Sequence, residues 1–273
     1  MKATYTDLRN MARKIVAALP RPAFCTLFQG EIARSKDLLH THPLLTGLKT
    51  RIIPLLDDDF GHGMLHSELV AIDAGAIVQI EMGLSPGAPE MMRAMVLVQV
   101  AGLLHDIKRK EKKHAQKGAL FAENLLTTEG FDLTALEIKI VCNAIGNHEA
   151  FQEKNIGLGK PVKSRNHRSD SGPESTTGLI PQLISDALYD ADKFRWGPDN
   201  FTHTVWDMVV FAKIPLADFL KHFPGGMKKL AQIRNTFRTD TGKAYGPGFI
   251  DVGLETGKRL AARLRSDYSE LFS

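Results

Sequence analysis

Residues 94–104 read AMVLVQVAGLL, a run with no charge and one polar side chain, Gln99, and it ends directly on His105-Asp106. A helix that is apolar on every side is stable in water only when other elements cover all of its faces. The stretch therefore demands a surrounding shell and makes this helix the centre of the fold. It falls short of the ~20 apolar residues that cross a bilayer, so no membrane span is expected. An ionised aspartate at the end of such a helix costs several kcal/mol unless it is paired, hydrogen-bonded or bound to a metal. Asp106 needs partners from elsewhere in the chain.

The shell is helical as well. Apolar residues recur at three- and four-residue intervals almost throughout, and strict alternation is scarce, which predicts an all-α fold. Helices are predicted over 6–19, 36–55 in one or two pieces around Pro43, 64–83, 90–105, 112–128, 132–147, 181–194, 199–221 in two pieces before Pro215, and 249–271. Thr6 or Asp7, Asp132 and Asp199 are the expected N-caps. With 273 residues and 43% apolar side chains, the chain is expected to form one domain spanning 1–273. Residues 157–178, rich in Gly, Ser, Pro and basic side chains, read as a long surface loop. Its Lys160, Lys163, Arg165 and Arg168 could close over an anion. The segment AYGPGF at 244–249 reads as a turn.

Composition narrows the partners. The net charge of +4 is concentrated in KRKEKK at 108–113 and in the loop. Such clusters suit a small anionic substrate, a nucleic-acid backbone or plain solvation. Aromatic residues are 7% of the chain and do not interleave with the charges, which disfavours nucleic acid. Cys25 and Cys142 are too few and too far apart for a disulfide framework or a thiolate site, so any metal must be held by histidine and carboxylate. The N-terminus lacks a signal-peptide pattern, and a cytoplasmic location is expected. Oligomeric state stays open, a homo-oligomer included.

Several histidines sit at the edges of apolar stripes. His66 shares a helix face with Val70 and Asp73; His114 opens a helix beside Gly118 and Phe121; His148 closes one beside Val141, Ala144 and Ile145. Asp192 lies near the end of a helix also carrying Asp186 and Asp190, where the helix dipole disfavours carboxylates. A cation would gather such groups. Taken alone, His66 reads first as a structural side chain, and each of the others also has an ordinary core or surface reading.

Taken in order, His66, His105-Asp106, His114, His148 and Asp192 resemble the HD-domain superfamily of metal-dependent phosphohydrolases, with residues 61–213 covered by the likeness. The resemblance implies an HD-type helical bundle extended at both termini. It also implies that His66, His105, Asp106 and Asp192 are primary metal ligands. His114 and His148 are then expected to complete a second metal position or to touch the substrate phosphate. Asp192 is preferred to Asp190 because a basic residue, Lys193, follows it. No Gly-Tyr-Pro signature follows HDIK, which disfavours a cyclic-dinucleotide substrate.

The implied activity is hydrolysis of a small phosphorylated metabolite, a nucleotide foremost, with one or two divalent ions (Mg, Mn, Co, Ni or Fe). Asp106 would bridge the ions, and Lys108 would bind phosphate as a point charge, with an ordinary surface lysine the equal alternative. Asp190 and Glu149 are candidates for orienting ligand imidazoles. Trp196 and Phe194 are expected in the core, with stacking on a base or sugar of the substrate the lesser alternative. The alternatives are a di-iron oxygenase on the same ligands and a catalytically idle, nucleotide-sensing scaffold.

Overall fold

The apolar run does become the central helix. In a computed structural model, which describes residues 4–56, 61, 63–151 and 179–267, it forms α6 (Pro89–Leu104), with twelve of its sixteen residues buried. Pro89 stands at its first turn, where a missing N–H costs nothing. Its closest partner is α5 (Met64–Met82), also buried on nearly every side and ended by the left-handed Gly83. The two cross where Gly102 meets Ala71: a Cβ on Gly102 would lie 2.7 Å from the Ala71 Cα. Gln99, the one polar residue of the run, donates its amide N–H to Ser35 at 2.7 and 2.8 Å, which compensates the donor half of its burial.

Around this pair pack α3 (Gln29–Thr41) and α4 (Pro43–Ile52) on one side, α8 (Ala135–Gly146) and α9 (Leu179–Phe194) on the other, with α7 (His114–Thr128) outside against α8. A second group of helices joins the two ends of the chain. In it α1 (Tyr5–Ala17) packs on α12 (Asp240–Asp267), on α10 (Val205–Phe211) and on the π-helical turn Asn200–Thr204, and α11 (Leu216–Ile233) packs on α12. The short α2 (Ala23–Leu27) also leans on α12. The described chain is 78% helical without strands, the all-α class expected. Buried side chains from Leu8 to Leu264 form one continuous apolar cluster. No helix among the described residues is long and apolar enough to cross a membrane.

Local details differ from the sequence expectations. The cap of α1 is Thr4, with Asp7 as its reciprocal partner at the third position, and the cap of α8 is Thr134, paired likewise with Glu137. Asp199 makes no cap; its carboxylate accepts from Arg195 at 2.6 Å. Residues 244–249 are helix rather than turn. Pro247 lies inside α12, whose buried Phe249 and Ile250 and the fit of Gly246 against Phe237 outweigh the local preference to break. The loop 157–178, with Lys160, Lys163, Arg165 and Arg168, lies outside the described residues.

Candidate metal centre

Five helix ends converge at one end of the central pair. His66 sits in the first turn of α5 and His114 opens α7; His105-Asp106 follow α6, His148 follows α8, and Asp192 lies in the last turn of α9. All six are interior residues: His105 is 0% exposed, His148 2%, Asp106 4%, Asp192 6%, His66 8% and His114 9%.

Position at a helix end does chemical work. The last carbonyls of a helix lack the regular amide partner four residues on, and two imidazoles bond to such carbonyls. His105 Nδ1 lies 2.8 Å from the Gly102 carbonyl and His148 Nδ1 lies 2.6 Å from that of Ile145, each three residues back. The Nδ1–H donates to the carbonyl, which leaves Nε2 with its lone pair facing the centre. His114 Nδ1 is anchored in the same way, 2.8 Å from the Glu149 carboxylate.

The inward Nε2 atoms surround the two oxygens of Asp106. Its Oδ2 is 3.7 Å from His66 and 3.4 Å from His105, and its Oδ1 is 3.4 Å from His114 and 3.5 Å from His148. The imidazole nitrogens pair off: His66 with His105 at 3.2 Å, His114 with His148 at 3.3 Å. Asp192 Oδ1 closes the first group, 3.5 Å from His66 and 3.8 Å from His105. Donors that each lie about 2.1 Å from one divalent ion are themselves roughly 3 to 3.5 Å apart. Spacing and donor types therefore fit cation sites, and these buried His/Asp groups could hold a metal ion.

The charges around the centre are set by burial and by neighbours. Burial would lower the His105 pKa, but Asp106 and Asp192 beside it outweigh burial and raise it. His114 goes the other way: burial pushes it down to about 4, Asp106 opposes, and Arg109 and His148 add to the fall. It is thus a neutral imidazole with a lone pair to give. Burial would raise Asp192, but Lys193 and the histidines hold it well below the usual carboxylate range.

Comparison with protein-family models, curated proteins and solved structures finds no match. The centre stands on its own geometry.

All six sequence-selected metal ligands are brought together, and Lys108 is not. Its Nζ lies 4.8 Å over the Phe121 ring and 3.6 Å from Glu111. The neighbouring Arg109 takes the inward place, 2.9 Å from His114 Nε2 and 3.8 Å from Asp106 Oδ1. Asp190 touches none of the six. It accepts bonds from the Arg238 and Thr239 backbone and the Thr239 hydroxyl at the start of α12, and burial pushes its pKa up to about 6 against those bonds. Glu149 is the group that orients an imidazole. Phe194 stacks on Phe249 in the core at 4.2 Å, and Trp196 lines the cavities beside the centre.

Two further roles escaped the sequence reading. Buried Lys193 donates to the outer oxygen of Asp192 at 2.5 Å and to the His148 carbonyl at 3.1 Å, which ties two ligand-bearing segments together. Arg195 pairs with Asp73 of α5 and holds the end of α9 against the helix that carries His66. A basic residue directly after Asp192 was the available signal for the first. For the second, it was a carboxylate on the His66 face that lacked a partner in the sequence.

Proposed function

We propose that this protein is a metal-dependent hydrolase of a small phosphorylated substrate, in keeping with the likeness of its ligand order to the HD-domain phosphohydrolases. The observation that carries the reading is the Asp106 carboxylate, one oxygen toward the His66/His105 pair and the other toward His114/His148. A carboxylate placed in this way suits a bridge between two cations. His66, His105 and Asp192 would hold one and His114 and His148 the other, Asp106 serving both. Divalent ions there would supply an acidified water and neutralise charge developing on phosphorus.

The chain's own residues do the rest. Glu149 keeps the His114 proton on Nδ1, and Lys193 neutralises the oxygen of Asp192 that faces away from the histidines. A cavity of about 320 Å³ opens directly over Asp106, His114, His148 and Asp192, and Arg109 and Lys229 stand on its wall. These cations would orient a phosphoryl group, Arg109 through its planar fork.

The test is phosphate release from a panel of phosphomonoesters and nucleotides by protein loaded in turn with Mg, Mn, Co, Ni and Fe. Asp106→Ala is expected to lower the rate at least about a thousandfold, and Arg109→Ala to raise KM about tenfold or more. Release that survives Asp106→Ala would remove the centre from the reaction. A second reading, a di-iron oxygenase, is favoured by the set of four imidazoles and two carboxylates; two irons per chain with oxygen-dependent turnover and no phosphate release would select it.

A further inference from the structure

The polar chamber over the centre is not the only space that reaches it. A second cavity, of about 330 Å³, runs from His66 and Asp192 beneath α10 and α11, and Arg109, Asp192, Trp196 and Lys229 line both. The two thus adjoin along a shared wall that carries two basic side chains, Arg109 and Lys229. Their chemistry differs. The second is walled by Phe201, Met208, Phe219, Phe223, Met227 and Leu230, aromatic and thioether groups that adapt to apolar shapes. Away from the junction its polar residues are Asn200, Thr204, His222, whose Nδ1 lies 2.8 Å from the Asp218 carbonyl, and Arg195, which pairs with Asp73 and Asp199. They are few beside an otherwise apolar lining, which favours an apolar group over a nucleobase.

The sequence of α11 points the same way. Pro224-Gly225-Gly226 lies inside the helix, the residues least suited to that position. Packing does not require these glycines, since an added Cβ at either would meet no atom within 4 Å. Gly226 lines the cavity, and a side chain could be added there without meeting another atom.

We propose that the substrate is an amphiphilic phosphate ester, whose anionic head lies at Arg109 and Lys229 beside the metal centre and whose apolar tail fills the cavity beneath α10 and α11. The proposal rests on the phosphohydrolase reading for its head group and on the second cavity for its tail.

The two are separated by measuring binding and turnover on one series: methyl, butyl, hexyl and octyl phosphate below their micelle concentrations, with nucleoside monophosphates alongside. Affinity by calorimetry, on metal-free and metal-loaded protein, is expected to rise about two- to fourfold per methylene until the cavity is full. Octyl phosphate should then bind at least a hundredfold more tightly than methyl phosphate. Gly226→Leu, which places a side chain in the opening at a helix position that welcomes it, is expected to flatten that series without lowering the thermal midpoint. Octyl phosphate binding no more than twofold tighter than methyl phosphate would overturn the tail site. So would a nucleoside monophosphate that outbinds every alkyl ester. A steep affinity series with no phosphate released under any metal would uphold the tail site and remove the hydrolase reading; release that ignores chain length, with flat affinities, would do the reverse.

Discussion

At the scale of the residue, the centre is organised by which nitrogen of each imidazole carries the proton. His105 and His148 donate it to carbonyls in the last turns of their helices, and His114 donates it to Glu149. Only the last uses a side chain and can be altered without touching the backbone. Glu149→Gln is expected to weaken one of two bound ions by about ten- to a hundredfold and leave the other close to wild type. Metal titration of the variant checks this. Equal weakening of both ions would mean that Glu149 acts on the whole centre. Lys108 and Arg109 show where residue-level reading fails. Beyond Leu104 the chain continues in tight turns, with Ile107 N–H bonding Leu104 O and Arg109 N–H bonding Asp106 O. The three-residue period brings Arg109 back over Asp106 and leaves Lys108 on Phe121. A sequence shows the basic run but not the period in which it winds.

At the scale of the element, the ligands were legible because each stands at the end of an apolar helix, and helix ends are what periodicity and buried polar residues reveal together. The crossing that brings those ends into register was not legible, since a glycine in an apolar run has no distinguishing pattern. Gly102 permits α6 to approach the α5 backbone at Ala71, five residues from His66 and three from His105. Gly102→Ala forces the helices apart. It is expected to cost about 1–3 kcal/mol in thermal or denaturant unfolding and to weaken metal binding, although no ligand is changed. Unaltered metal affinity in a destabilised variant would separate the crossing from the site. The second half of α11 and the start of α12 went unread for a different reason: Pro224, Gly225, Gly226 and Pro247 are local breaking signals, yet the helices run through them to buried Leu230 and Ile233 and to buried Phe249 and Ile250.

At the scale of the whole molecule, segments outside the ligand-bearing stretch 61–213 turn out to build the surroundings of the centre. Lys229 of α11 lines both cavities, and Phe249 of α12 stacks on Phe194, two residues beyond Asp192. Nothing in the spacing of the histidines could place these, because they meet the centre only through tertiary packing. Phe249→Ala should therefore cost about 3–5 kcal/mol of stability, and loosen Asp192 along with the core. Unfolding by denaturant, with metal affinity measured on the folded fraction, checks both effects. The claim on which all of this depends is that Asp106 joins two cation sites. Titration with Mn(II) followed by electron paramagnetic resonance tests it most directly. The expected result is two ions per chain with the exchange-coupled spectrum of a pair roughly 3.5–4 Å apart, lost in Asp106→Ala; one isolated ion, no bound ion, or a coupled pair that persists without Asp106 would contradict it.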